Sequence, residues 1–210
     1  MGFLTFGKEN SEMNQKIGMA GSLISSISVA LFAVFMLIAF NFGSFFVCIF
    51  LALGFVLMIS TFAHECEPDR KAAANVALIF AAVYCVMILL VYFAQTTSVR
   101  LDSLNEQAIQ IIDYSKSGLY FNYDLLGYGL MALSTFFIGL TIRANTKADK
   151  WLKWLLILHG AFFIPCLIVP MLGIFSSDGY WMGVIVLEFW CAYFIPVCIL
   201  SYVHFKKRTE

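Results

Sequence analysis

Residues 72–94 read AAANVALIFAAVYCVMILLVYFA and contain no charged side chain. An α-helix needs roughly 20 apolar residues to cross the hydrocarbon core of a bilayer, and this stretch is long enough. Backbone polar groups in lipid must be satisfied internally, which leaves helices and closed barrels as spanning structures. Barrel strands alternate apolar and polar residues, whereas this stretch does not. It therefore predicts a membrane-spanning helix.

Five further stretches on either side of it are apolar over a comparable length. The predicted spanning segments are residues 17–40, 44–63, 72–94, 125–142, 152–175 and 180–203. The chain of 210 residues is 61% hydrophobic and 12% charged, whereas soluble domains carry about 25% charged residues. We therefore predict an all-α polytopic membrane protein, with one transmembrane domain of six helices over residues 1–210.

The basic residues predict the orientation of this bundle, because Lys and Arg prefer cytoplasmic connections. With the N-terminus inside, eleven of the thirteen basic residues are cytoplasmic, and Arg100 and Lys116 are outside. The eleven are Lys8, Lys16, Arg70, Lys71, Arg143, Lys147, Lys150, Lys153, Lys206, Lys207 and Arg208. We expect both termini on the cytoplasmic side. The net charge of zero gives no reason to expect nucleic acid as a partner.

The connections carry turn and capping signals. Residues 41–43 (NFG) and 176–179 (SSDG) predict turns, because Gly, Asn, Asp and Ser favour them. Pro68 can open the third helix, since proline is tolerated in a first helical turn. Residues 146–149 (TKAD) predict a cap for the fifth helix.

The longest connection, residues 95–124, predicts a short external amphipathic helix between the third and fourth spanning segments. Ser103 and Glu106 have the spacing of a capping box, and residues 116–118 (KSG) predict the end of the helix. Its apolar positions are Leu104, Ala108, Ile111 and Ile112. The helix either lies on the membrane surface or packs as an ordinary loop helix.

Small residues and prolines indicate how the helices pack. In the first helix, small residues follow at intervals of four: Gly18, Ser22, Ser26 and Ala30. Such faces let helices approach closely, within the bundle or in a homo-oligomer. The last two segments contain Pro165, Pro170 and Pro196. Each removes a backbone hydrogen bond and favours a kink, although proline is also common in membrane helices.

Two ionisable residues inside predicted spanning segments are functional candidates, because such residues are costly in lipid. His159 and Glu188 each lie about eight residues into a segment, from opposite faces, so that their levels differ by about 6 Å. A ligand-binding site is predicted from Glu188, His159, Trp190, Tyr128, Tyr84 and Asn75. Further candidates are Gln95, Asp124 and Ser134. The alternative is that these groups only bond neighbouring helices.

Catalytic and metal-binding motifs are weak in this sequence. His64 and Cys66 stand beside two glutamates, but no second cluster completes a tetrahedral metal site. A solvated loop end is the expected structure there, and no metal or cofactor is predicted. GxSxG, HExxH, P-loop and Rossmann patterns do not occur. The sequence therefore favours a non-enzymatic protein without excluding an enzyme.

Two stretches carry a resemblance to known proteins. Residues 91–100 (VYFAQTTSVR) and 124–135 (DLLGYGLMALST) resemble a group of small multi-pass bacterial membrane proteins classed as a domain of unknown function. The resemblance implies the bacterial cytoplasmic membrane as location and implies no activity. In architecture alone, the chain also resembles the substrate-binding subunits of energy-coupling-factor vitamin transporters, and a likeness of fold does not establish function.

Three functions are compatible with these features. The leading hypothesis is a protein that binds, or helps to move, a small amphipathic molecule in a polar-lined cavity within the membrane, anchored by Glu188 and His159. The second is an enzyme acting on a membrane lipid, with His159 or Glu188 as general acid or base. The third is a scaffold or regulatory subunit that binds another membrane protein through its small-residue faces.

Overall fold

A computed structural model of the protein describes residues 2–173 and 180–208, without the side chains of residues 2–11 and 180–182. Its helices are α1 (Gly2–Leu37), α2 (Asn41–Glu65), α3 (Lys71–Ala94), α4 (Glu106–Ile112), α5 (Leu119–Thr141), α6 (Lys147–His159), α7 (Phe163–Met171) and α8 (Tyr180–Lys207). Short 3₁₀ turns lie at Pro68–Arg70, Tyr114–Lys116 and Gly160–Phe162, and a π-helical turn lies at Gln95–Val99. The described residues contain no strand.

Six helical segments of the described residues are long and apolar enough to cross a membrane. They are α1, α2, α3 with its flanking turns, α5, α6 together with α7, and α8. The prediction of an all-α polytopic bundle is confirmed, and the chain is a multi-pass membrane protein.

The fifth crossing is interrupted where proline chemistry requires it. The turn Gly160–Phe162 separates α6 from α7 and includes Ala161, four residues before Pro165. Proline lacks the N–H that would bond to the carbonyl four residues earlier, so regular helix is lost there. Pro196, by contrast, lies within an unbroken α8.

The predicted turn at residues 41–43 is wrong. Helix α1 ends at Leu37 rather than at residue 40, Ala39 has a positive φ of 54°, and α2 begins at Asn41. Gly43 lies in the first turn of α2, where an added Cβ would collide with the ring of Phe40. The glycine is therefore needed for close packing against the turn and not for the turn itself.

The connection between α3 and α5 has the predicted short helix, but its ends differ from the prediction. The cap of α4 is Asn105, whose side chain accepts a hydrogen bond from the Ala108 N–H at 2.9 Å. Ser103 instead donates to the Ser98 carbonyl at 3.0 Å. The helix ends at Ile112, before the predicted stop at residues 116–118.

The fourth crossing begins earlier than the predicted residue 125, because α5 starts at Leu119. Ser117, with a φ of 51°, closes the preceding turn and directs the chain into α5. Asp124 therefore lies about 8 Å inside this helix, and not in a loop.

Two other predictions are confirmed. Pro68 opens the 3₁₀ turn that leads into α3, and Thr146 and Asp149 form a complete capping box at the start of α6. The predicted turn at residues 176–179 lies outside the described residues.

Only the first part of the predicted small-residue face of α1 is buried in the bundle. Gly18 and Ser22 are buried, but Ser26 is half-buried and Ala30 is exposed. With 3.6 residues per turn, an interval of four drifts away from the interface. The buried stripe continues through Ser25, Ser28, Val29 and Phe32. Helix α1 packs on α2 and α8, while α3 packs on α2 and α5.

The two ends of the bundle differ in chemistry. At one end, which we call the basic end, Arg143 pairs with Glu67, and Arg208 donates to Glu65 at 2.8 Å. At the opposite end, Arg100 lies over the ring of Phe42, 5.2 Å from its centroid. Ten of the Lys and Arg residues predicted to be cytoplasmic lie at the basic end or in the helices that enter it: Lys16, Arg70, Lys71, Arg143, Lys147, Lys150, Lys153, Lys206, Lys207 and Arg208.

Candidate functional site

Asp124 is a buried carboxylate with an unused hydrogen-bonding atom. Its side chain is on α5, and the residue is only 2% exposed. One carboxylate oxygen, Oδ2, accepts a hydrogen bond from the Tyr114 hydroxyl at 3.2 Å. The other, Oδ1, is buried and has no hydrogen-bond partner among the described residues. Asp124 thus keeps one strong acceptor free inside the bundle.

Tyrosines from three segments surround this carboxylate. We call the group the Asp124 cluster; its members are Asp124, Cys48, Tyr84, Tyr92, Tyr114 and Tyr128. The Tyr128 hydroxyl donates to the Cys48 Sγ at 3.7 Å, and the rings of Tyr84 and Tyr128 lie 5.7 Å apart. The Tyr84 hydroxyl is buried and, within the described part of the chain, has no hydrogen-bond partner. The cluster therefore contains two unsatisfied polar atoms.

The spacing of residues along the helices explains why most side chains of this cluster lie together. Asp124 and Tyr128 are four residues apart on α5, so they share one face. Tyr84 and Tyr92 are eight residues apart on α3, with the buried Ile88 between them, and face α5. Cys48 is fully buried on α2. The helices α2, α3 and α5 thus each contribute side chains to the cluster.

Tyr114 lies in the connection between α3 and α5, and hydrogen bonds with Gln95 hold this connection against the cluster. The Gln95 amide donates to the Ile112 carbonyl at 2.7 Å, and its oxygen accepts from the Tyr114 N–H at 3.0 Å. Burial, and then the nearby Asp124 carboxylate, raises the pKa of the Tyr114 phenol well above its ordinary value. Tyr114 is therefore a neutral donor to Asp124, held in place by a side chain at the end of α3.

His159 belongs to a second polar group whose hydrogen bonds are all used. The indole N–H of Trp190 donates to His159 Nε2 at 3.0 Å. His159 Nδ1 lies 2.7 Å from the Thr135 hydroxyl, which itself donates to the Ala132 carbonyl at 2.8 Å. Because Trp190 can only donate, Nε2 is the acceptor and Nδ1 carries the proton. Both ring nitrogens of a neutral His159 are therefore occupied.

The predicted site residues fall in three places. Tyr84 and Tyr128 are in the Asp124 cluster, and Trp190 joins it to His159, since the rings of Tyr128 and Trp190 lie 5.2 Å apart. Glu188 is half-buried, and its Oε1 is buried without a hydrogen-bond partner among the described residues. Asn75 is exposed on α3 and lies apart from the others. The ligand-binding roles of all six stay predictions.

The cluster also contains three residues that are not among the predicted site residues: Cys48, Tyr92 and Tyr114. Tyr92 had a usable signal, because it lies two helical turns after Tyr84 on the same face of α3. Tyr114 had none, since its place depends on hydrogen bonds to Gln95, 19 residues earlier in the chain. Asp124 was a secondary candidate because the predicted helix began one residue after it.

The basic end contains a separate cleft of about 250 Å³. There, His204 Nδ1 lies 2.7 Å from Asp149, and Glu65 lies 3.6 Å from His204 Nε2. His64 is exposed, and no group of three metal-binding side chains occurs among the described residues. This arrangement ties the ends of α2, α6 and α8 together.

Comparison with known proteins gives no further assignment. Neither a protein-family model, nor a curated protein, nor a solved structure matches this chain. The resemblance to small bacterial membrane proteins and to vitamin-transporter subunits therefore stays a prediction.

Proposed function

We propose that this multi-pass membrane protein binds a small amphipathic molecule inside its helix bundle and that the Asp124 cluster is the polar anchor. The observation that carries the proposal is the buried Asp124 Oδ1 without a hydrogen-bond partner among the described residues. An unsatisfied buried polar group costs about 1–3 kcal/mol, and more when it is charged. A polar group of a ligand would recover that free energy.

The surroundings of the carboxylate suit the apolar part of such a molecule. The rings of Tyr92 and Tyr114 lie 6.3 Å apart, and Phe45 lies 5.6 Å from Tyr92 and 5.5 Å from Tyr114. Ligand sites are mostly apolar and aromatic with a few well-placed polar groups, and this cluster has that composition. An amphipathic molecule reaches it from the surrounding lipid more readily than a strongly hydrated one.

The predicted anchors have different parts in this proposal. Tyr84 and Tyr128 are walls of the site, and His159 holds Trp190 against Tyr128 through the indole hydrogen bond. Glu188 is a second carboxylate with an unpartnered oxygen among the described residues. A lipid-modifying enzyme is less well supported, because a general acid or base needs a titrating atom that faces its substrate. Both nitrogens of His159 face protein groups instead.

The membrane and the orientation are also part of the proposal. We propose the bacterial cytoplasmic membrane, with the basic end facing the cytoplasm, because Lys and Arg concentrate in cytoplasmic connections. A reporter fused after Arg208 is expected to be active only on the cytoplasmic side. Activity of that reporter outside the membrane would contradict the orientation.

Thermal unfolding of the purified protein in detergent tests the binding proposal. A panel of small amphipathic molecules with cationic, neutral and anionic head groups is added to wild type and to Asp124→Asn. At least one member should raise the wild-type unfolding temperature and leave that of Asp124→Asn unchanged. The proposal fails if no member stabilises the wild type, or if the variant responds as the wild type does.

Ser134→Ala is the matched control for this experiment. Ser134 is buried on the same helix, about 15 Å along the axis from Asp124, and its hydroxyl donates to the Ala77 carbonyl at 2.8 Å. The variant loses a buried hydrogen bond outside the Asp124 cluster. It should be less stable than wild type and should keep the full shift produced by the ligand.

A further inference from the structure

The charges within the spanning helices are divided between the two ends of the bundle. Asp124 and Glu188 lie toward the opposite end, about 8 Å and 12 Å from the starts of α5 and α8. The basic residues of the described spanning segments lie toward the basic end. Arg100 lies over Phe42 and donates to the Thr96 carbonyl at 3.1 Å, and it forms no ion pair with Asp124. The half of the bundle that holds Asp124 is therefore short of positive charge.

Asp124 lacks the partners that normally accompany a buried carboxylate. Buried charges are usually paired with an opposite charge, because an isolated one is costly to desolvate. None of the ion pairs formed by the described residues includes Asp124, and the side chains that hydrogen-bond to it, Tyr92 and Tyr114, are uncharged hydroxyl donors. A cation at Oδ1 would supply the opposite charge that no described residue provides.

The side chains around this oxygen favour an organic cation over a metal ion. Metal ions such as Ca²⁺ and Mg²⁺ take six or more oxygen ligands, including several carboxylates or carbonyls. No group of three His, Cys, Asp or Glu side chains suited to a metal occurs among the described residues. Tyrosine and phenylalanine rings, in contrast, attract ammonium groups through the negative faces of their π-systems. The cluster provides such rings on Tyr92, Tyr114 and Tyr128, and the Phe45 ring lies beside the first two.

We propose that the ligand of the Asp124 cluster is an organic cation, an amine or quaternary ammonium group carried on a small apolar body. The ammonium group lies against Asp124 Oδ1, beside the rings of Tyr92 and Tyr114. This inference rests on the proposed function and specifies the chemical class of its ligand. The apolar body lies among the remaining aromatic side chains of the cluster.

Three probes with the same eight-carbon chain test the inference on the wild-type protein. They are octyltrimethylammonium, 1-octanol and octanoate. Each is titrated below its micelle concentration or, for 1-octanol, below its solubility limit, while unfolding temperature and bound probe are measured. The cation should bind at least about tenfold more tightly than the alcohol or the carboxylate, as expected for a carboxylate and aromatic rings acting together. Equal binding of all three, or no binding of the cation, would overturn the inference.

Variants of Asp124 separate this inference from the proposed function. Asp124→Asn should lose at least about tenfold in affinity for octyltrimethylammonium, and Asp124→Glu should retain most of it. A different result would be that wild type binds 1-octanol but not the cation, and that Asp124→Asn abolishes binding of 1-octanol. The proposed binding site would then be supported, and the inference that its ligand is a cation would be wrong. The wild-type probe series decides the matter even where a variant fails to fold. Ser134→Ala, which leaves the cluster unchanged, should bind all three probes as the wild type does.

Discussion

The Asp124 cluster and the His159 group are two buried polar regions that meet the same helix, α5, and they differ in how completely their hydrogen bonds are used. At His159, Trp190 donates to one ring nitrogen and Thr135 occupies the other. At Asp124, one carboxylate oxygen holds Tyr114 and the other has no partner among the described residues. The ionisable residue with complete hydrogen bonding joins the helices, and the one with an atom left over is the proposed anchor for a ligand.

Residue type alone does not separate these two regions. An ionisable residue within a membrane helix is a functional candidate by default. His159 fits that rule by position, yet its contacts are those of a residue that joins α6 to α5 and α8. The proposed site therefore rests on an unsatisfied buried atom and not on the presence of an ionisable side chain alone.

Among single substitutions, the largest loss of folding stability is expected at His159. His159→Ala leaves the Trp190 indole N–H without an acceptor and creates a cavity, which together should cost about 2–4 kcal/mol of unfolding free energy. Equilibrium unfolding in mixed micelles measures the loss. Binding to the Asp124 cluster should weaken far less than it does in Asp124→Asn.

Leu158→Ala is the control for His159→Ala. Leu158 is the adjacent residue and is 57% exposed on the lipid-facing side of α6. Its substitution should change the unfolding free energy by less than about 0.5 kcal/mol. If His159→Ala is as stable as this control, the closed hydrogen-bond group does not stabilise the bundle.

A smaller effect is expected at Gln95, which holds the external connection over the Asp124 cluster. Gln95→Leu removes the bonds to Ile112 and Tyr114 and should cost about 1–2 kcal/mol. Hydrogen exchange at the Tyr114 amide should become faster, while exchange in the middle of α3 stays slow. Unchanged exchange at Tyr114 would show that the connection is held by other contacts.

The smallest effect on stability is expected at Asp124 itself. Asp124→Asn keeps an oxygen that can accept from Tyr114 and removes a charge that has no cationic partner among the described residues. The unfolding free energy without ligand should therefore change by less than about 1 kcal/mol. A loss as large as that of His159→Ala would mean that the carboxylate is satisfied within the protein, and the contrast between the two regions would disappear.

The fold could be predicted from the sequence because hydropathy over about 20 residues identifies a spanning helix regardless of its partners. The wrong predictions concern helix ends, where residues typical of connections lie inside a helix. Asp124 and its neighbours were assigned to a connection, although α5 begins at Leu119. The turn before α2 was placed at Gly43, although that glycine serves close packing against Phe40. In both cases tertiary contacts outweigh the local signal.

The site could be predicted only in part. Tyr84 and Tyr128 were identified because they are polar residues inside apolar helices. The contacts of His159 with Thr135 and Trp190 depend on how three helices are rotated, and hydropathy does not determine that rotation. Tyr114 is placed by Gln95 across a connection, so that no regular spacing in the sequence indicates it.

An experimental density map of the wild-type protein with octyltrimethylammonium bound is the most direct test of cation binding at Asp124. We expect density for the head group within about 4 Å of Asp124 Oδ1, beside the rings of Tyr92 and Tyr114, and no such density in Asp124→Asn. A map in which Asp124 Oδ1 is bonded to a protein group, with the probe elsewhere, would contradict it.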